Sequence, residues 1–203
     1  DTVFTVSGGG SIFLCDALYK AKKIKYIACH HEQAGSYAAE SYSRIKNKPG
    51  AAIVTTGPGG TNTASGVAAC WIDSVPTIFI SGQVFLNQTI GNSKLRQVGV
   101  QEFDIVKMVK SCTKYSVIIK KPEEIKYHLE KAYHISNEGR PGPVWIDIPA
   151  NIQNAEINPK ILKNFKLKTK AKRNISINRK IKKIARLFLK YDRPILHIGH
   201  GVR

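Results

Sequence analysis

A carboxylate that could take part in acid–base chemistry lies near the start of the chain, in the segment His30–Glu40. The short apolar run at 26–29 before it is typical of a β-strand. The long stretch after it contains almost no helix breakers and is typical of an α-helix. Glu32 is therefore predicted at the point where a strand ends and a helix begins. Ligands bind at this position in open α/β sheets, so Glu32 is the first candidate for a catalytic residue.

Glycine-containing turns follow three other predicted strands. They lie at residues 7–10, 57–62 and 81–83. A single turn of this kind usually only reverses the direction of the chain. The carboxyl ends of parallel strands, however, meet at one edge of a sheet. We therefore expect the three turns and Glu32 to line one ligand crevice.

The elements that would position these groups alternate between strand and helix. Strands are predicted at 3–6, 26–29, 51–55, 77–80, 115–119 and 144–148, and helices are predicted between them, including 101–109 and 122–136. Residues 84–100 show no clear period and indicate a loop or an irregular helix. The strand at 51–55 is almost entirely apolar, as in parallel sheets that are covered on both faces. The sequence predicts an α/β fold, a doubly wound parallel sheet with helices on both faces.

The character of the sequence changes after residue 152. Residues 153–175 are polar, basic and non-periodic, which predicts an interdomain linker. An amphipathic helix follows, and then a strand is predicted at 194–198 with a turn at 199–201. We expect residues 1–152 to form one domain. We expect residues 176–203 to be the beginning of a second α/β domain, truncated before it is complete.

The formal net charge of +18 could indicate a nucleic-acid-binding protein. The excess is uneven, because residues 1–150 carry 17 basic and 12 acidic side chains while residues 151–203 carry 15 and 2. The basic segment lacks the interleaved aromatic side chains on which bases stack. A solvated linker and helix face explains the charge better than a nucleic-acid partner, although a basic nucleic-acid-binding module remains an alternative.

The composition also bears on the compartment of the protein. No apolar run is long enough to span a bilayer, and no basic-then-apolar leader precedes the first strand, so we expect a cytoplasmic protein without a membrane partner. The four cysteines, Cys15, Cys29, Cys70 and Cys112, are widely spaced in apolar surroundings. They are predicted to be free thiols, neither disulfide-bonded nor metal-bound.

A dinucleotide site is an alternative interpretation of the first glycine turn. Gly8 and Gly10, with Glu32 standing 22 positions after Gly10, imitate the fingerprint of such sites. The third glycine of that fingerprint would fall at Phe13, whose side chain blocks the close contact between helix and strand. An NAD-dependent oxidoreductase is therefore kept only as an alternative.

The order of motifs resembles the thiamine-diphosphate-dependent enzymes of the acetolactate synthase, pyruvate oxidase and pyruvate decarboxylase group. The similarity runs through most of residues 3–152. It rests on segments 7–9, 16–18, 31–33, 55–62, 73–76, 81–84, 101–102 and 139–144. The resemblance implies that residues 1–152 are the pyrimidine-binding domain, the first of three. It implies that residues 176–203 begin the middle domain.

The resemblance also implies roles for individual residues. Glu32 matches the glutamate that hydrogen-bonds N1′ of the aminopyrimidine, which lets the cofactor's own nitrogen remove the C2 proton. Gln101 matches a glutamine that faces the reacting end of the cofactor. These two are the expected catalytic residues. The expected cofactor-binding residues are Gly8, Gly9, Glu32, Thr55, Pro58, Asn62 and Gln101.

The reaction implied by the resemblance is decarboxylation of a 2-keto acid such as pyruvate, followed by carboligation. Two positions depart from typical acetolactate synthases, which carry Phe where this chain has Val100 and Lys where it has Ala150. Segments 7–10, 29–33, 71–74 and 95–97 are more similar to relatives associated with surface-polysaccharide synthesis. Transfer of the two-carbon unit to a keto-sugar is therefore an alternative.

The remaining expectations concern the rest of the active site. In the family, the diphosphate and Mg²⁺ are held by a Gly-Asp-Gly…Asn segment of the third domain. These 203 residues contain no such segment, so no metal site is expected within them. The resemblance further implies a homo-oligomer, a dimer or tetramer, in which the active site forms between two subunits. Residues 1–203 alone are expected to be inactive.

Overall fold

The structure is a computed structural model that describes residues 1–166 and 175–199. The chain divides into two compact units, Asp1–Phe165 and Lys166–Arg203. Residues 167–174 of the predicted linker and residue 200 onward, with most of the predicted turn at 199–201, lie outside the described residues. The predicted domain bounds at 152 and 175 stay predictions.

The first unit is built on a six-stranded sheet. Its strands are β1 (Thr2–Thr5), β2 (Lys25–Ala28), β3 (Gly50–Val54), β4 (Thr77–Gln83), β5 (Tyr115–Ile118) and β6 (Val144–Pro149). Every pairing is parallel, and the order is β2-β1-β3-β4-β6-β5. The winding reverses between β1 and β3, which makes their carboxyl ends a topological switch point. The predicted doubly wound parallel sheet is confirmed.

Helices connect the strands. They are α1 (Ile12–Lys20), α2 (Glu32–Lys46), α3 (Pro58–Thr61), α4 (Ala64–Ile72), α5 (Ile105–Val109), α6 (Ile125–Asn137), α7 (Ala150–Gln153) and α8 (Ile175–Lys190). The predicted amphipathic helix of the second unit is α8. Among the helices in the described ranges, none has the length and apolar character needed to cross a bilayer. All four cysteines are free, as predicted.

The sheet is covered on both faces because its central strands are apolar on both sides. On one face, Phe79 and Trp145 stack with ring centroids 5.5 Å apart, beneath side chains of α2, α4 and α5. On the other face, Val144 and Ile146 pack with side chains of α1, α6 and α7. All four of these side chains are fully buried. Burial on this scale is the main favourable term that holds the strand ends in place.

Most predicted elements differ from the structure by a few residues at their bounds, and two of these differences have an identifiable cause. The helix predicted at 101–109 begins only at Ile105, because Asp104 caps it by accepting the N–H of Lys107 at 2.9 Å. The strand predicted at 77–80 continues to Gln83, where it still pairs with β6. The turn predicted at 81–83 is therefore the last part of a strand.

The strand predicted at 194–198 is wrong, since these residues form no strand in the structure. An apolar run becomes a strand only when its backbone groups find a partner strand. No strand is present anywhere in the described residues 175–199, so the run has nothing to pair with.

A buried polar network explains why β4 extends to Gln83. Asp147 of β6 is fully buried, and it accepts hydrogen bonds from Ser81 Oγ at 2.6 Å and from Gln83 Nε2 at 3.1 Å. Trp145 Nε1 donates to Ser81 Oγ at 2.8 Å. Loss of hydration raises the pKa of Asp147 from 3.8 to about 7, an effect that the two hydrogen bonds offset only in part.

This raised pKa predicts a specific dependence of stability on pH. Between about pH 4 and pH 7 the folded protein keeps the Asp147 proton that the unfolded chain has lost, so stability falls as pH rises, by up to about 4 kcal/mol. Asp147→Asn removes this dependence, because its amide can donate to Ser81 and accept from Gln83 at every pH. The difference between the thermal unfolding midpoints of the variant and the wild type, taken as variant minus wild type, should increase from pH 4.5 to pH 7. Above pH 7 this difference should stay level.

Asp16→Asn is the matched control, because Asp16 lies on the surface with its carboxylate 2.6 Å from Lys20. Its difference from wild type should change little over the same pH range. If the midpoint difference between Asp147→Asn and the wild type also stays constant from pH 4.5 to pH 7, the assignment of the raised pKa is contradicted.

Candidate functional site

Glu32 lies at the crevice that the topology creates. The strands β2, β1, β3 and β4 are neighbours, so the segments that leave their carboxyl ends share one edge of the sheet. Helix α2 begins at Glu32, four residues after the last residue of β2, Ala28. His31 caps this helix, because its Nδ1 accepts the N–H of Gln33 at 3.2 Å. The predicted change from strand to helix at Glu32 is confirmed.

The Glu32 carboxylate is buried, with only 9% of the residue exposed. Its Oε2 accepts a hydrogen bond from Asn62 Nδ2 at 3.0 Å. Its Oε1 lies 3.5 Å from the position that a Cβ on Gly59 would occupy. Within residues 1–166 and 175–199, no protein donor reaches Oε1. The carboxylate is therefore held in place by one oxygen and presents the other to the glycine turn.

The turn after β3 can form only with glycine at its first position. Gly57 has φ +56°, and a Cβ on it would overlap the backbone oxygen of Gln101. Pro58 follows as the first residue of α3, where its fixed φ suits a helix start. This turn brings Asn62 to Glu32 and the backbone of Gln101 to the same edge.

The turn after β1 packs tightly against the end of β3. A Cβ on Gly8 would lie 2.6 Å from atoms of the Thr55 side chain, and the N–H of Gly10 donates to Thr55 Oγ1 at 3.1 Å. Gly9, in contrast, is exposed, and a Cβ on it would meet nothing within 4 Å. The structure thus brings Gly8 and Thr55 together and leaves Gly9 apart. A role for Gly9 in binding stays a prediction.

Gln101 differs from its expected setting, because it does not begin a helix. It is an exposed turn residue with φ +58°, a conformation that a non-glycine residue seldom adopts. Pro58 and Asn62 are also exposed. These three residues form an open rim around the buried Glu32.

Sequence reasoning missed that Gln153, Thr56 and Gly82 position the first turn. Gln153 Nε2 donates to the carbonyl oxygen of Gly10 at 2.7 Å. Thr56 Oγ1 donates to the carbonyl oxygen of Gly82 at 3.2 Å, and a Cβ on Gly82 would overlap Gly10. The glycine-containing segment 81–83 was predicted to line the crevice, and this prediction could have identified Gly82. Gln153 stands 143 positions from Gly10 and has no local signal.

The arrangement can hold a flat heterocycle and exchange a proton with it. A buried carboxylate with one free oxygen can share a proton with a ring nitrogen, and the glycines let the backbone approach the ring closely. No group of three potential metal ligands is found within the described ranges. The residues present fit the aminopyrimidine of thiamine diphosphate on these grounds.

Known proteins support this interpretation. Residues 1–108 match the family profile described as "Thiamine pyrophosphate enzyme, N-terminal TPP binding domain". The chain is 32% identical to the mitochondrial acetolactate synthase catalytic subunit of Saccharomyces cerevisiae, covering 100% of the chain and 30% of that protein. It is 36% identical to the chloroplastic acetolactate synthase of Arabidopsis thaliana, covering 99% of the chain and 29% of that protein.

A bacterial relative, the acetolactate synthase large subunit of Corynebacterium glutamicum, is 34% identical over 100% of the chain and 31% of its own length. The chain thus resembles acetolactate synthases throughout and spans about a third of their length. None of these relatives supports the oxidoreductase, nucleic-acid-binding or keto-sugar alternatives. With more than half of its residues matched by the profile, the chain belongs to the thiamine pyrophosphate enzyme family and contains its N-terminal TPP-binding domain.

Proposed function

We propose that Glu32 binds N1′ of thiamine diphosphate and controls the protonation of that atom. The observation that carries this proposal is the buried carboxylate with one oxygen held by Asn62 and the other facing the glycine turn. Gly8, Gly9, Thr55, Pro58, Asn62 and Gln101 would surround the cofactor ring and its reacting end. Gly9 has the weakest support, because it makes no close approach to the other residues of the group.

Each residue of this group contributes position or electrostatics. When it is bound, thiamine diphosphate supplies the electron sink for decarboxylation and carboligation. Glu32 holds a proton at N1′ in a setting largely shielded from water, where a hydrogen bond to a charged group is stronger. Asn62 keeps the carboxylate aimed at the ring. Gly8 and Gly57 let the turns that would flank the ring pack closely against Thr55 and Gln101.

The proposed reaction is decarboxylation of a 2-keto acid such as pyruvate, followed by carboligation, as the names of the acetolactate synthase relatives suggest. Gln101, exposed on the rim, is in a position to contact the substrate. Val100 and Ala150 replace the Phe and Lys expected of typical acetolactate synthases on the substrate side of the pocket. We propose that these two positions alter the choice of acceptor without changing the chemistry at Glu32.

We further propose that the active site is completed by a second copy of the protein, in a homodimer or homotetramer in the cytoplasm. The support is the open rim, since Pro58, Asn62 and Gln101 are all exposed. Binding sites normally bury most of the surface of a small ligand. Mg²⁺ and the diphosphate would be held by residues outside these 203.

Glu32→Gln in the complete protein is the direct test of the proposal. The neutral amide can still hydrogen-bond but cannot share a proton with N1′, so exchange of the cofactor C2 proton should fall by about 100-fold or more. Exchange is started by dilution of the loaded protein into deuterium oxide, stopped with acid after set times, and measured by NMR of the cofactor. Binding of the cofactor, measured by calorimetry, should weaken far less than exchange.

Glu123→Gln is the matched control, because Glu123 is exposed in the first turn before α6 and should leave exchange unchanged. An exchange rate for Glu32→Gln within a few-fold of wild type would remove Glu32 from its proposed role.

The proposal also predicts how residues 1–203 behave in isolation. They should bind thiamine diphosphate weakly, with a Kd of about a millimolar or above, because they offer one buried carboxylate and an open rim to a ligand that also carries a diphosphate. They should show no decarboxylase activity. Submicromolar binding in titration calorimetry would show that the cofactor needs no further residues, contrary to this proposal.

A further inference from the structure

The loop between β4 and α5 is held by one carboxylate. Glu102 is buried, with 6% of the residue exposed. Its Oε1 accepts the N–H of Ile90 at 3.0 Å, and its Oε2 accepts the N–H of Val98 at 3.3 Å. A single side chain thus binds both ends of the segment 90–98, which the sequence identified only as a region without a clear period.

This loop gains little support from packing. Residues 91–98 are all exposed, and Leu86 and residues 89–92 border a cavity of about 430 Å³ that lies between the loop and the sheet. Apolar burial, which normally fixes a segment, is therefore small here. The two hydrogen bonds to the charged Glu102 are the main restraint on the loop, and bonds of this kind are stronger than those between neutral groups.

The backbone of the same residue closes a turn that contains Gln101. The N–H of Glu102 donates to the carbonyl oxygen of Gly99 at 3.1 Å. The N–H of Gly99 in turn donates to the carbonyl oxygen of Gln88 at 2.8 Å. Between Gly99 and Glu102, Gln101 has φ +58°. A non-glycine residue in this region is strained, and the conformation persists only where the surroundings enforce it.

The turn reaches the proposed cofactor site through Gln101. The backbone oxygen of Gln101 lies where a Cβ on Gly57 would stand, so the turn packs directly on the glycine turn after β3. Glu102 itself has no hydrogen bond to Glu32, Thr55 or Asn62 within the described residues. Loss of the Glu102 carboxylate should therefore disturb Gln101 and leave the Glu32–Asn62 pair intact.

We propose that Glu102 is a positioning residue: its carboxylate ties down the loop 90–98 and thereby fixes Gln101 at the rim of the site. This inference rests on the proposed function only for what Gln101 does. The restraint of the loop by Glu102 is independent of the cofactor. The consequence is that Glu102 supports the step that involves substrate, whereas Glu32 supports proton exchange at the cofactor.

The test uses Glu102→Gln and Glu102→Asp in the complete protein. The amide of the first variant has one acceptor, so one of the two backbone N–H groups loses its partner. The shorter aspartate keeps the charge but reaches only one end of the loop. Hydrogen–deuterium exchange over residues 90–98, followed by mass spectrometry, should speed up by about tenfold in both variants. Glu123→Gln should leave it unchanged.

The kinetic readout separates positioning from a general loss of structure. We expect kcat/KM for the 2-keto acid to fall by about tenfold, mostly through KM, while C2 proton exchange stays within about twofold of wild type. In a Gln101→Ala background, Glu102→Gln should add less than about twofold, since it acts through a side chain that is no longer present.

Either of two results would overturn the inference. Unchanged amide exchange over 90–98 would show that Glu102 does not restrain the loop. A loss of kcat/KM that persists in full after Gln101→Ala would show that Glu102 acts by another route. A failure of the proposed function would be seen in a different experiment. It would appear as normal C2 proton exchange in Glu32→Gln, and this result does not depend on the Glu102 variants. If Glu102→Gln lowers the thermal unfolding midpoint strongly, Glu102→Asp carries the same tests.

Discussion

The candidate site depends on how closely the ends of three neighbouring strands approach one another. The contacts between β1, β3 and β4 at this edge are shorter than a Cβ would permit: Gly8 lies on Thr55, and Gly10 lies on Thr56 and beneath Gly82. Any side chain at these glycines would separate the strand ends and widen the crevice. The apolar packing of both sheet faces supplies the free energy that keeps the edge closed. Without that closure, Asn62 would not reach Glu32.

Two buried carboxylates in this fold show what distinguishes a structural acid from a functional one. Asp147 lies within the sheet, fully buried, with both oxygens occupied by Ser81 and Gln83. Glu32 lies at a strand end and keeps one oxygen without a protein donor in the described ranges. Asp147 therefore links two strands, and its burial raises its pKa. Glu32 is held through one oxygen by Asn62 and still has the other oxygen to offer to a ligand, which is the requirement for acid–base work.

The parts of the fold that could be predicted are those with local signals. The alternation of apolar strands and glycine turns predicted the parallel sheet, and the change of pattern at residue 32 predicted the start of α2. Features set by distant partners were missed. The extension of β4 depends on Asp147, 64 positions from Gln83. The hydrogen bond from Gln153 to Gly10 likewise joins residues that are far apart in the sequence. The late start of α5 has a different cause, because it comes from the local cap at Asp104, which hydrophobic periodicity does not detect. The same limit explains the run at 194–198, which has the composition of a strand without a partner.

The irregular segment 84–104 shows why a region without periodicity can still be ordered and relevant to function. A loop over a cavity cannot be fixed by apolar burial, so its conformation has to come from specific polar contacts. Glu102 supplies two such contacts from one side chain, and the adjacent Gln101 takes the strained conformation that results. Strain of this kind persists only where it is enforced. Gln101, at the rim of the site, is thus held by the residue next to it, and its conformation depends on one buried acid rather than on the hydrophobic core.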